Sequence, residues 1–184
     1  MKGVIVILLL GVIAGCGGGD NSSNSSSIVG VWITERCEQV VDRNGVLQDT
    51  WGKGLYEFTT QATVTLERAG FEVDGVIKIG NIIYSDSNCE VITSSQAPTE
   101  SEQPVVAYQD LGEEVLQEGI PGHRFVVIFA MPDSARFVNG FYTINNGSLC
   151  FSDIFLSVFH WTLSFPTESP AIDFENCLVK EGAL

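Results

Sequence analysis

The stretch Phe141-Tyr142-Thr143-Ile144-Asn145-Asn146-Gly147-Ser148-Leu149-Cys150-Phe151 decides the fold class. Asn146-Gly147 stands between two runs rich in aromatic and β-branched residues. Both central residues of a type I′ turn need positive φ, which Asn and Gly tolerate best. The segment therefore predicts a tight antiparallel hairpin. Period-two alternation continues along the rest of the chain. Tyr56 and Phe58 alternate with Glu57 and Thr59, Ala62, Val64 and Leu66 with Thr63, Thr65 and Glu67, and Phe71 and Val73 with Glu72 and Asp74. Such alternation marks strands with one buried face. Phe125–Met131 is a continuous apolar run and predicts a strand covered on both faces. Phe155, Phe159, Trp161, Leu163 and Phe165 share one face of a predicted long strand.

The predicted strands are Val29–Glu35, Gly54–Thr60, Ala62–Arg68, Phe71–Ile79, Asn81–Ser85, Val105–Asp110, Arg124–Met131, Phe137–Ile144, Ser148–Ser152, Phe155–Phe165 and Ile172–Leu178, some of which must merge. The polar stretch Ser94–Gln103 reads as a long loop, and Glu113–Glu118 as a single helical turn. The expected fold class is all-β, an antiparallel meander of about eight to ten strands closed into a barrel, because closure removes exposed edges. Outward positions carry Glu, Asp, Thr and Lys, where a barrel in lipid would need an apolar band. The expected barrel is therefore soluble.

The N-terminus has the layout of a signal peptide. Lys2 supplies the positive region, and Val4–Ile13 form an apolar segment too short to span a bilayer comfortably. Ile13-Ala14-Gly15-Cys16 then resembles the lipobox of bacterial lipoproteins. That resemblance implies export, cleavage before Cys16 and lipid on the Cys16 thiol. Gly17–Ser27 is built from Gly, Asn, Ser and one Asp, and reads as a flexible tether. Gly17 rather than Asp after the cysteine is similar to the outer-membrane sorting signal of enteric bacteria. The expected organisation is a signal peptide over 1–15, a lipidated cysteine and tether over 16–27, and one β-barrel domain over 28–184. The expected location is the cell envelope, anchored to a membrane through the N-terminal lipid.

Four cysteines remain: Cys37, Cys89, Cys150 and Cys177. An even number in an exported domain predicts two disulfides, with three connectivities open. Pairing Cys37 with Cys89 and Cys150 with Cys177 is expected, since each bridge then staples one half of a meander. No two cysteines have C-x-x-C spacing, so no zinc site is expected. The formal net charge is -14, a field that repels nucleic acid and anionic headgroups. The acids are scattered in pairs such as Glu113 and Glu114, and none matches the spacing of a calcium loop.

Ile28-Val29-Gly30-Val31-Trp32 opens the first predicted strand. This Gly-x-Trp is similar to the entry motif of lipocalins and related calycin barrels. In that family the glycine lets the chain bend into the barrel and the tryptophan plugs its closed end. The resemblance implies that Gly30 and Trp32 form the barrel floor. It also implies a later arginine stacked on the indole, for which Arg124 and Arg136 are the candidates. Asn146–Phe151 and Tyr84-Ser85-Asp86-Ser87-Asn88-Cys89 look like segments of lipocalin-like bacterial lipoproteins, with Cys89 answering Cys37. The alternative is a small β-sandwich in which Trp32 is simply core.

Catalytic motifs are not evident. His123 follows Pro121-Gly122 and is expected in a loop, while His160 alternates with Phe159 and Trp161 and faces away from them. There is no nucleophile elbow, phosphate loop or dinucleotide fingerprint, so neither an enzyme nor a cofactor is expected. Carboxylates are plentiful, but none stand out as a glycan-hydrolase pair. Phe155, Phe159, Trp161 and Phe165 are candidates to line a ligand cavity, or else to fill the barrel. Three functions follow in order. The first is a barrel that binds a small apolar ligand or lipid. The second is a filled structural lipoprotein that contacts another envelope protein. The third, a remote one, is a glycan hydrolase.

Overall fold

The computed structural model describes residues 27–42, 44–60, 72–101, 104–116, 119–152 and 172–181. Ten strands run in chain order: β1 (Gly30–Thr34), β2 (Glu38–Val41), β3 (Leu47–Phe58), β4 (Gly75–Tyr84), β5 (Ile92–Thr99), β6 (Val105–Val115), β7 (Pro121–Met131), β8 (Ser134–Asn145), β9 (Ser148–Phe151) and β10 (Leu178–Lys180). Eight of them, β1-β3-β4-β6-β7-β8-β9-β10, close into an antiparallel barrel, and β10 returns to β1. The barrel strands follow one another in sequence, so the expected meander is present, with β2 and β5 as excursions. The 12 residues of β3 let it serve two neighbours, β2 over its first half and β1 over its second. In the same way β4 pairs with β6 through Gly75 and Val76, and with β5 further on.

The hairpin that decides the fold class has the predicted turn. Asn145 pairs with Ser148, and Asn146 and Gly147 have φ of 51° and 84°. The alternation read at Tyr56 and Phe58 holds: both are buried and Glu57 is not. Inward side chains of every barrel strand form one core, including Trp32, Tyr56, Phe58, Phe125, Leu149 and Phe151. β7 is covered on both faces from Phe125 to Ala130. Phe125, Val127 and Phe129 face in, while Val126, Ile128 and Ala130 join a second apolar cluster with Val76, Val105 and Ala107.

Several elements differ from the sequence reading. Ser94–Gln103 is not a long loop, because β5 runs to Thr99. Nearly every residue of β5 is exposed, so no alternation announces it. Main-chain pairing to β4 makes the strand. The helical turn expected from Glu113 is not there over the described residues, since Glu113–Val115 is strand. After a bulge between Asp110 and Glu113, β6 continues to Val115 against the start of β7. Gly112 takes φ of 99° there, a conformation open to glycine. The strand expected from Phe71 starts at Gly75, where a Cβ would overlap the Thr59 carbonyl. It absorbs the one expected at Asn81–Ser85. Before β10, Asp173 organises a turn by accepting from the Glu175 N–H and the Asn176 amide. The strand expected at Ile172–Leu178 is therefore a turn, and β10 follows it over Leu178–Lys180. The strand readings Ala62–Arg68 and Phe155–Phe165 lie outside the described residues.

Both expected disulfides are present, Cys37–Cys89 and Cys150–Cys177. The chain enters β1 at one end of the barrel, here the entry end. The Cys37–Cys89 bridge joins segments at the opposite, far end, while Cys150–Cys177 links β9 to the residue before β10. Cys37 lies just past β1 and Cys89 just past β4, so the first bridge ties the β2 excursion to the β5 excursion. Beside it the Asp86 carboxylate accepts from the N–H groups of Asn88, Glu90 and Val91, which hold it below the usual carboxylate range. The Cys37–Cys89 bridge closes a separation of 52 residues. Its chain-entropy contribution is roughly 4 kcal/mol. Replacing both cysteines with serine should lower the unfolding free energy, measured in urea, by about that amount. A loss below about 1 kcal/mol would mean that strand pairing alone holds the far end.

Candidate functional site

Gly30 and Trp32, the residues expected to form a barrel floor, lie in β1. Gly30 begins β1 with φ of 137°, a conformation that other residues rarely adopt. Trp32 is 1% exposed, and its Nε1–H donates to the Ile28 carbonyl at 2.6 Å. A cation lies over the indole: Lys180 Nζ is 5.6 Å from the ring centroid. Lys180 sits directly across from Trp32 in the β10–β1 pairing. Arg124 and Arg136, the candidates for that role, sit at exposed positions of β7 and β8.

Sequence reasoning missed a polar cluster at the entry end. His123 is not in a loop. It is the third residue of β7, directly across from Tyr142 of β8. Their rings stack at 4.9 Å and 15°. The Tyr142 hydroxyl donates to Asp110 Oδ2 at 2.7 Å, and His123 Nδ1 lies 3.1 Å from the same oxygen. The Gly112 N–H donates to Asp110 Oδ1 at 2.9 Å, and the Asp110 N–H donates to the Asp74 carboxylate. Tyr108, two residues before Asp110, donates to the Thr59 carbonyl at 3.0 Å. The signal was parity: His123 has the parity of the inward residues Phe125, Val127 and Phe129, and Asp110 that of Val106 and Tyr108. The Pro121-Gly122 pair concealed it, because that dipeptide reads as a turn.

The electrostatics follow from this packing. Burial pushes the Asp110 carboxyl up, but the Gly112 N–H, the Tyr142 hydroxyl and His123 outweigh it and hold the group below its usual value. An ionised Asp110 only accepts, so His123 Nδ1 must carry the proton of that contact. Burial, and then the Asp110 bond, push the Tyr142 hydroxyl far up. Burial, Asp74 and Asp110 push Tyr108 up to about 12. The cluster therefore presents an oriented imidazole backed by a carboxylate. A glycan-hydrolase acid needs a raised carboxyl pKa, and Asp110 has the opposite.

Below this cluster the interior is aromatic. Phe125 packs edge-on to Tyr142 at 5.5 Å and against Phe151 at 5.3 Å, and Phe58 meets Phe151 and Tyr108. The Tyr56 hydroxyl is buried with no hydrogen-bond partner. At the far end a hollow of about 10 Å³, room for one water, opens between Thr34, Arg36, Glu38 and Cys177. Among the described residues no group of three His, Cys, Asp or Glu is placed to hold a metal ion. The lipidation residue Cys16, the cavity candidates Phe155, Phe159, Trp161 and Phe165, and His160 lie outside the described residues. No protein-family model, curated protein or solved structure matches the chain.

A depressed Asp110 pKa stabilises the fold above the usual aspartate range, and that stabilisation is lost as pH falls through the folded-state value. Tyr142→Phe removes one of the donors that depress it. This variant should lose about 1 kcal/mol at pH 7 in chemical denaturation, and the deficit should shrink at a pH acid enough to protonate Asp110 in the folded state. An equal deficit at both pH values would show that the hydroxyl does not act through the Asp110 charge.

Proposed function

We propose that this chain is an envelope lipoprotein: exported, cut before Cys16, held to a membrane (the outer one, from Gly17) by lipid on that cysteine, and carrying a lipocalin-like barrel that binds a small apolar ligand or lipid. The anchor reading rests on the lipobox-like Ile13–Cys16 and the tether that follows it. The binding reading is carried by one observation, the closed ring of eight strands around an apolar interior. A barrel of this size encloses either packed side chains or one small ligand. Gly30 and Trp32 in β1, with Lys180 over the indole, support the lipocalin-like assignment. With the tether joining at the entry end, the far end points away from the anchor.

A protein-contact role has a separate observation in its favour. β5, Ile92–Thr99, contains no charged residue in a chain of net charge -14, is exposed on both faces, and is paired along one edge with β4. Such an edge can accept a partner strand.

Two measurements test these readings. Cys16→Ala should move the protein from the membrane pellet to the soluble fraction of the producing cell, and retention in the pellet would remove the lipid-anchor reading. Native mass spectrometry of the purified protein should show an adduct of roughly a few hundred daltons, lost on organic extraction. A bare mass would favour the protein-contact role instead.

A further inference from the structure

Among the described residues, four aromatic side chains carry polar tips into the barrel core and are exposed by 4% or less: Trp32, Tyr56, Tyr108 and Tyr142. Three are satisfied. Trp32 donates to the Ile28 carbonyl, Tyr108 to the Thr59 carbonyl and Tyr142 to Asp110. The Tyr56 hydroxyl, at 1% exposure, bonds to nothing. An unmet buried donor is costly, and folded proteins keep few of them.

The surroundings of Tyr56 are unlike the rest of the core. On β3 the residues sharing its face toward the far end are Gly54 and Gly52, both buried and without side chains. Asn81 lies across from Gly54, and Glu38 of β2 across from Gly52. The two β3 positions next to Tyr56 on this face therefore contribute no side chain, and an amide and a carboxylate lie across from them. Burial and then the Glu38 charge push the Tyr56 hydroxyl far above its usual pKa, so it keeps its proton and is a donor. Lys180 lies on the other flank of Trp32 from Tyr56, since Trp32 pairs with Lys180 on one side and Tyr56 on the other.

We propose that Tyr56 is the polar anchor of an interior site for a neutral, acceptor-bearing apolar molecule, an acyl ester or ketone, which Tyr56 holds by donating to the ligand's carbonyl oxygen. This rests on the reading of the barrel as ligand-binding. A fatty-acid anion is excluded from the same position: its charge would be desolvated beside Glu38, with no cation at the hydroxyl to offset it.

Titration calorimetry of the purified full chain with methyl laurate and with laurate, at pH 8, tests this. The ester should bind at least about tenfold tighter than the acid, and Tyr56→Phe should weaken ester binding roughly five- to tenfold. Tyr56→Phe should melt at the wild-type temperature or above, because it removes an unmet donor. Glu38→Gln should keep ester binding and narrow the gap between ester and acid. Ester affinity unchanged in Tyr56→Phe, or acid bound as tightly as ester, would overturn the Tyr56 anchor and leave the binding barrel standing. A melting point several degrees lower in Tyr56→Phe would also overturn it, since the hydroxyl would then have a structural partner. No binding of either probe to the wild-type chain would remove the barrel-binding reading, and this inference with it.

Discussion

Everything in this molecule hangs on the pairing of its last strand with its first. β10 meets β1 through three residue pairs, Trp32–Lys180, Ile33–Val179 and Thr34–Leu178. Two further main-chain bonds flank them, from the Glu35 N–H to the Cys177 carbonyl and from the Glu181 N–H to the Val31 carbonyl. Without this seam the sheet would have two free edges, and the inward faces of the barrel strands would have no common interior to fill. The same register places the Lys180 ammonium over the Trp32 indole. The Cys150–Cys177 bridge joins β9 to the residue before β10 and so holds the closing strand near its place.

Closure gives the barrel two different ends. At the entry end, inward parity gathers Asp110, His123 and Tyr142 into a bonded cluster, with Tyr108 beside it donating to the Thr59 carbonyl. At the far end the two excursions, β2 and β5, extend the sheet beyond the ring and are tied to each other by Cys37–Cys89. Between the ends lies an aromatic layer around Phe58, Phe125 and Phe151. The satisfied polar groups hold structure. The unmet Tyr56 hydroxyl, with Gly54 and Gly52 next on the same face of β3, is the interior feature that packing does not account for.

Much of the architecture was legible from local chemistry. Asn146-Gly147 has one good use between two strand-like runs, and the unbroken run Phe125–Met131 asks for cover on both faces. Four cysteines in a meander pair most simply with their sequence neighbours. What was not legible depended on partners far away in the chain. β5 has no buried face, so its strand exists through bonds to β4, which a reading of side-chain pattern does not detect. The end of β6 looked helical because Glu-rich segments favour helices, and pairing with β7 overrode that preference.

The candidate site divides along the same line. By itself the sequence determined that the chain is all-β, that Trp32 opens the first strand, and that its cysteines are placed to form two bridges. Each of these follows from period, turn chemistry or count, which are properties of neighbours. Only the tertiary structure decided that Asp110, His123 and Tyr142 meet, that Lys180 supplies the cation over Trp32, and that among the described residues Tyr56 is the aromatic tip of the core that lacks a partner. The physical reason is that strand register and barrel closure set these contacts. They bring together residues from separate strands whose own neighbourhoods carry no trace of the meeting.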